Sequence, residues 1–400
     1  MANRGQTPIG HSWQPSLASA ARRADNARML EDLRRGAALA ALVRAEARAA
    51  LLRSGLRSGL FAALREWTPV SAFVASQRLD PELAAAWLAA LEAHGDVERE
   101  RDGSRWRLAG LARWLVESPD ADAASAALEQ SAYGYAPVLA HIPELMQSER
   151  RPQWGVREDA LRTARASRLG ERRALAALHR IPGARRARRI LDIGCGEGRM
   201  LAGLLARYRD ALGTGIELDA SVAERAQEWL EAAHVQRRGE LRVGDFFELE
   251  LSFSFDLALL NNNLHYFAEA RWPALFARVH EHLAPGGLLA IQTPVLVDGA
   301  FARLSGARAT LATFDLFLRA HANLAPLPEP ERLEAALRSA GFAEIGARGI
   351  LPGGALRYVW ARKTADAREL ASIPSTRPDS LAPSAEPARA VAASSLLKPS

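Results

Sequence analysis

Residues 190–200 read ILDIGCGEGRM. An apolar run ends in an acid, Asp192, and glycines follow at alternate positions, Gly194, Gly196 and Gly198. The amphipathic stretch RMLAGLLARY begins immediately after. This pattern predicts a strand, a tight turn and a helix. Glycine reaches backbone angles closed to other residues and has no Cβ to hold a ligand off. The turn therefore brings bare backbone against a bound molecule at the positive end of a helix. A dinucleotide fingerprint requires G-x-G-x-x-G. Counted from Gly194, its third glycine would fall on Arg199, so the spacing here, G-x-G-x-G, is a different one.

Four further segments follow in order. LGTGIELD (Leu212–Asp219) reads as a second apolar strand ending in Glu217. That acid stands about 20 residues past the turn, where a βαβ nucleotide fold sets a carboxylate on ribose hydroxyls. LRVGDFFE (Leu241–Glu248) reads as a third strand ending in Asp245 and Phe246. FDLALLNNNLHYF (Phe255–Phe267) is a fourth strand running into a polar loop, and HLAPGGLLAIQTPV (His282–Val295) a helix end, a turn and a fifth strand. Acids at strand ends also start turns and cap helices. Phe246 and Phe247 are as compatible with core as with a ligand. Cys195, the only cysteine, sits between two glycines with no base near it in sequence, as a small buried filler would.

The order of these segments resembles the class I S-adenosylmethionine (SAM) methyltransferases, with ILDIGCGEGRM similar to their first motif. The resemblance implies a fold class of α/β, with a Rossmann-like SAM-methyltransferase sheet in the C-terminal part, and SAM as cofactor. Carried over to this sequence, the cofactor-binding set is Asp192, Gly194, Gly196 and Gly198 at the loop, Glu217 and Leu218 beside the ribose, Gly244, Asp245 and Phe246 near the adenine, and Asn261. One of Asn261, Asn262 and Asn263 would face the methionine part of the cofactor or the acceptor, the others forming the turn.

The chain of 400 residues suggests two or three domains, and a hydrophobic content of 48% supports a sizeable core. It lacks an apolar run of transmembrane length and a signal peptide, which reads as soluble and cytoplasmic, without a membrane partner. One cysteine excludes a disulfide framework and a cysteine-rich metal site. The net charge of +6 suggests nucleic acid, yet only Lys363 and Lys398 are lysines, so 50 of the 52 basic residues are arginine, spread among acids. The densest basic run, Arg185–Arg186 and Arg188–Arg189, fits a solvated linker or a surface for an acidic partner.

Residues 1–28 are polar and irregular, and are expected to be disordered. From about Met29 to Leu64 the periodicity is helical. Thr68–Pro69 opens a short helix, Asp80–Pro81 caps another that ends at Gly95, and Val97–Glu100 and Arg105–Leu108 flank a hairpin turn at Asp102–Gly103. Helices followed by a hairpin describe a winged helix over 29–120. Its Asp80–Asp96 segment stands where a recognition helix would be, but holds no Lys or Arg, so no nucleic-acid partner is expected. The stretch resembles the N-terminal domain of small-molecule O-methyltransferases of secondary metabolism. That resemblance implies a mostly helical dimerisation domain and a homodimer. Residues 121–185 read as a helical linker contributing to a substrate pocket, with Tyr133, Tyr135, His141, Met146 and Trp154 as candidates by family position. The resemblance implies that residues 186–363 form the SAM-binding domain. The tail 364–400, with five prolines, is expected to be disordered.

Methyl transfer from a sulfonium is an in-line displacement in which alignment of donor and acceptor does most of the work. A hydroxyl acceptor also needs a base. His265, in Leu264-His265-Tyr266-Phe267, occupies the place of the catalytic histidine of the resembling O-methyltransferases, and an imidazole can take a phenolic proton near neutrality. The family glutamate that orients this histidine is replaced by Gln292, and the second expected glutamate falls near Leu327, with Glu329 two residues on. Without a carboxylate partner the histidine is a poorer base. The expected function is therefore methyl transfer to a small-molecule acceptor, a hydroxyl or phenol with His265 as catalytic base, or alternatively a thioether or amine; a SAM-binding regulator is the non-enzyme reading. Substrate-lining candidates are Tyr133, Trp154, Asn262 and Gln292, and metal-independent transfer is expected.

Overall fold

A computed structural model describes residues 17–155 and 157–364. The tail beyond 364 and residues 1–16 lie outside the described residues. The chain starts with the long helix α1 (Leu17–Arg57), which begins upstream of Met29 and stops short of Leu64, where a 3-10 turn covers Leu60–Leu64. Then come β1 (Thr68–Pro69), α2 (Val70–Gln77), α3 (Pro81–Ala93), β2 (Val97–Arg99) and β3 (Arg105–Leu108), with the strands paired antiparallel in the order β1-β3-β2. This is the expected helix-and-hairpin arrangement. Asp80 caps α3 by accepting from the Leu83 amide at 2.7 Å. Leu88 and Leu91 of α3 are buried with Phe61, Phe73 and Leu108, whereas Leu83, at 71% exposed, faces outward.

Arg48 of α1 makes a bidentate contact with Asp96, at 2.7 and 2.8 Å, and Asp96 is wholly buried. Two parallel N–H···O bonds to a desolvated carboxylate fix one point on α1 against the hairpin. Every described residue from Arg28 to Ala47 is exposed, and the first fully buried side chain is Leu52.

Between the hairpin and the main sheet run α4 (Gly110–Glu117), α5 (Ala121–Glu129), a π-helical turn (Gln130–Tyr135), α6 (Ala136–Ala140), α7 (Ile142–Gln147), α8 (Arg157–Ser167) and α9 (Glu171–Leu178). The C-terminal part adds β4 (Arg189–Ile193), α10 (Arg199–Arg207), β5 (Leu212–Glu217), α11 (Ala220–Ala232), β6 (Gly239–Val243), β7 (Phe255–Asn261), α12 (Trp272–His282), β8 (Leu283–Pro294), α13 (Ala300–Leu304), α14 (Ala307–Arg319), α15 (Pro330–Ser339), β9 (Phe342–Gly349) and β10 (Leu356–Lys363). The seven strands lie in the order β6-β5-β4-β7-β8-β10-β9. The first five are parallel; β10 runs antiparallel to both β8 and β9. Sequence periodicity locates the five parallel strands but gives no separate signal for β9 and β10.

Side chains alternate across the sheet. Ile190, Leu257 and Leu288 point into one core layer with Leu178, Leu201 and Leu204. Leu191, Leu260, Leu289 and Ile291 point into the other, with Phe276, Leu333 and Leu337. The chain winds outward from β4 through β5 and β6, then returns to begin again at β7. That reversal opens a crevice at the carboxyl ends of β4 and β7, the place where open α/β sheets bind ligands. Among the described residues, no helix is long and apolar enough to cross a membrane.

Candidate active site

The glycine turn sits in that crevice. Gly194, Gly196 and Gly198 all have positive φ, at 63°, 56° and 69°, which side chains disfavour. Their surroundings differ. A Cβ on Gly198 would lie 2.8 Å from the Ala226 Cβ, so this glycine lets α10 and α11 pack closely. A Cβ on Gly194 would strike the Asn263 amide at 2.5 Å. A Cβ on Gly196 would meet nothing within 4 Å and would project into open space, so the backbone here forms a cradle. The loop is tied to the next strand: Cys195 N–H donates to the Ile216 carbonyl and Gly196 N–H to Glu217 Oε2, each at 2.9 Å.

Asp192, at the end of β4, is 1% exposed. Its Oδ1 accepts from Asn261 Nδ2 at 3.1 Å, while Oδ2 is buried without a partner. Burial, partly offset by the Asn261 bond, pushes its pKa up to about 7. Glu217 ends β5; burial raises its pKa against the backbone N–H bonds it accepts, that of Asp219 at 3.1 Å among them. The Gly244 amide donates to the Glu217 carbonyl at 3.0 Å, bringing the Asp245 turn alongside. Leu218 is 72% exposed beside these acids, an apolar side chain left unpacked at the rim. Phe246, expected near the adenine, is instead in the core at 3% exposed, with the Arg278 guanidinium over its ring. β6 ends at Val243, and the turn after Asp245 carries Phe246 inward, while Phe247 is the half-buried ring of the pair. Burial, and then the neighbouring acids Asp192 and Glu217, raise the Cys195 thiol, which keeps it protonated and fits a filler.

The crevice brings together Asp192, Gly194, Gly196, Asn261, Asn262 and Gln292, roofed by Ser167, Arg168 and Glu171. Those roof residues carry no motif in the sequence. Arg168 bonds Glu197 of the glycine turn at 2.9 Å and also contacts Asp122 of α5. Glu171 pairs with Arg199 at 3.3 Å. Tyr358 of β10 carries no sequence motif either. Fully buried, it lies level with Gln292 and Asn261 across three strands, its hydroxyl 3.2 Å from Asn261 Oδ1 and 3.3 Å from Gln292 Oε1. Gln292 thus faces Tyr358.

A second cavity of about 190 Å³ adjoins the first and shares Asn262 and Ser167 with it. Its walls include Gln130, Tyr135, Trp154, His265, Tyr266, Phe314 and Phe317. Tyr135 and Trp154 pack on Phe317 with centroids 4.5 and 5.0 Å apart, and Phe314 stands edge-on to His265 at 5.8 Å. Asn323 clamps the Trp154 backbone through both its carbonyl oxygen and its amide nitrogen, at 2.8 and 2.6 Å. The π-helical turn explains which tyrosine enters. Its wider turn sets residues five apart on one face, which places Gln130 and Tyr135 together at the cavity. Tyr133 falls outside, 49% exposed, its hydroxyl 2.9 Å from Arg57. Met146 is 76% exposed and His141 faces solvent, its ring on the Pro137 carbonyl.

His265 is 9% exposed, and burial alone lowers its pKa to about 4, so the imidazole is neutral. Among the described residues no carboxylate bonds it. Glu329 stands just before α15 and its carboxylate pairs with Arg332 at 2.9 Å in solvent, and Leu327 is buried.

The crevice suits a ligand that offers hydrogen-bond donors and positive charge. The cradle at Gly196 admits it closely, the bare Asp192 oxygen can accept from it, and Glu217 ends the adjacent strand with a carboxylate. A model of the methyltransferase domain family matches residues 190–287. The trans-aconitate 2-methyltransferase of Deinococcus radiodurans is 35% identical over 186 residues, covering 44% of this chain and 68% of that protein. An 8-amino-8-demethylriboflavin N,N-dimethyltransferase of Streptomyces davaonensis is 33% identical over 111 residues, 27% of this chain and 31% of that one. Among solved structures, an O-methyltransferase family protein from Burkholderia thailandensis shares the fold with a TM-score of 0.67 at 23% identity, covering 82% of this chain and 97% of that one. Human N-acetylserotonin methyltransferase, solved with SAM, shares it with a TM-score of 0.62 at 18% identity, covering 85% and 98%. The chain belongs to the class I SAM-dependent methyltransferases, enzymes that act with S-adenosylmethionine as cofactor.

Proposed function

We propose that the acceptor is a small, uncharged aromatic hydroxyl compound bound in the second cavity, and that His265 receives its proton. The observation that carries this reading is the lining: aromatic rings and neutral polar groups, with no charged side chain among the described residues that form it. An anionic acceptor, such as the aconitate in the name of the Deinococcus relative, would lose its hydration there without gaining a cation. A planar ring would stack on Tyr135, Phe314 and Phe317. Asn262 and Ser167 line both cavities, which supports a meeting point of acceptor and cofactor beside them.

SAM, when bound, supplies a methyl group activated by its sulfonium. Residues of the chain do the rest. The aromatic walls fix the acceptor ring, and the glycine cradle with Asp192, Glu217 and Asp245 would hold the donor, so the two meet in line. With His265 near pKa 4 and an ordinary phenol near 10, full proton transfer beforehand would cost about 8 kcal/mol. His265 therefore accepts a hydrogen bond first and takes the proton as the oxygen gains its new bond and turns acidic.

The experiment is incubation of the purified protein with labelled SAM and a panel of phenols, thioethers, amines and carboxylic acids. Methylated phenols are expected. His265→Ala should lower kcat on the phenol by about 10²-fold or more. Equal turnover by this variant on phenols would overturn the role of His265. A second reading, a thioether acceptor, is favoured because no carboxylate among the described residues orients His265, and Gln292 faces Tyr358. A thioether needs no base, so His265→Ala would then leave its turnover intact.

The same resemblance leads us to propose a homodimer built on α1. Met29, Leu30, Leu33, Leu39, Leu42 and Val43 are each more than half exposed, an apolar surface that a second copy would cover.

A further inference from the structure

We propose that binding of the cationic cofactor expels one proton from the buried chain Asp192–Asn261–Tyr358–Gln292, and that Tyr358 is its positioning residue. The inference rests on SAM as the cofactor. It begins with an orphaned atom: Asp192 is 1% exposed, its Oδ1 has one donor, Asn261, and its Oδ2 has none although it is buried at the crevice.

The groups facing this carboxyl do not offset a negative charge. Glu217 of β5 and Glu171 of α9 are acids that act on it, and the Cys195 thiol and Tyr358 hydroxyl, both raised by burial, stay neutral. Arg168 and Arg199 line the same crevice, but Arg168 pairs with Glu197 and Arg199 with Glu171. An ionised Asp192 would be an uncompensated buried charge, so the carboxyl keeps its proton to about pH 7. A ligand that brings a cation against Oδ2 reverses the preference. The O–H bond breaks, the proton leaves to solvent and the carboxylate faces the ligand.

Tyr358 fixes the direction of this chain. Its single O–H can donate to Asn261 Oδ1 or Gln292 Oε1. When that O–H donates to Asn261 Oδ1, it favours the amide orientation in which Asn261 Nδ2 donates to Asp192, the one bond that steadies the carboxylate. Removing that hydroxyl frees the amide to rotate, and Asp192 should hold its proton to a higher pH.

Calorimetric titration with S-adenosylhomocysteine and with SAM, at pH 6.0 and 7.0 in buffers of low and high ionisation enthalpy, tests this. In this window the ligand amino group stays cationic. The wild-type protein should release about nine-tenths of a proton at pH 6.0 and about half at pH 7.0, with affinity rising about fivefold between them. Asp192→Asn should release none and show no such rise, which separates Asp192 from Glu217. Tyr358→Phe should release clearly more than half a proton at pH 7.0 and bind more weakly there. Asn261→Ala, which cuts the same link, should do likewise and serves if Tyr358→Phe does not fold. Binding without proton release by the wild type would overturn the inference. Release unchanged in both Tyr358→Phe and Asn261→Ala would remove Tyr358 from it. Failure of either compound to bind at both pH values would instead overturn SAM as cofactor.

Discussion

Residues with the same sequence signal have separable tasks. Gly196 and Gly198 stand in one turn with similar φ, yet only Gly198 is pressed by a neighbour. Gly196→Ala should lose about 1–2 kcal/mol to the left-handed backbone and place a methyl group in the cradle, so cofactor affinity falls while the fold persists. Gly198→Ala carries the same strain plus a clash with Ala226, and the main loss should be stability. Thermal melting and cofactor titration of the two variants, side by side, would show opposite orders of severity. At this scale the sequence marks acids beside a glycine or a strand end, and the structure sets Asp192 near the end of β4 and Glu217 at the end of β5. The sequence was silent on Tyr358, which follows no turn signal and reads as an ordinary strand aromatic. It also misled at Tyr133 and Phe246. A π-helical turn shifted which tyrosine faces inward, and the inward twist after Asp245 took Phe246 into the core.

Elements show why the linker belongs to the site. α8 and α9 cross the glycine turn, and two ion pairs of opposite sense, Arg168–Glu197 and Glu171–Arg199, brace it. Both Arg168 and Glu197 are largely buried, at 10% and 4% side-chain exposure. Arg168→Met should leave Glu197 as an unpaired buried acid and cost about 3–5 kcal/mol. Glu197→Gln should cost less, because Arg168 keeps Asp122. Chemical denaturation of both variants, with the double variant closing the cycle, would measure the coupling; equal losses would mean the brace is not the cause. The sequence reads 121–185 only as mostly helical, and nothing in its composition marks which arginine reaches across 29 positions to Glu197, since such pairing is set by tertiary packing. β9 and β10 escaped for a related reason: glycines and a Pro-Gly-Gly turn interrupt the alternation that reveals a half-buried strand.

The whole molecule divides into a sheet domain whose parallel strands were readable and an N-terminal domain whose long helix projects beyond its own core. If α1 mediates dimerisation, Leu33→Arg with Leu42→Arg should convert the protein to a monomer by light scattering at micromolar concentration. The fold of the sheet domain should be unaffected, since Arg28–Ala47 bury nothing in the single chain. A variant that stays dimeric would move the interface elsewhere.

The Arg48–Asp96 contact acts as a mooring for α1. Outboard of it, roughly 30 residues of helix at about 1.5 Å each give a spar of about 45 Å, exposed throughout Arg28–Ala47. Most helical stability in proteins comes from tertiary packing, which the exposed stretch Arg28–Ala47 lacks. Amide hydrogens outboard of the mooring should therefore exchange with solvent far sooner than those inboard whenever the chain stands alone, and slow only when something lies alongside.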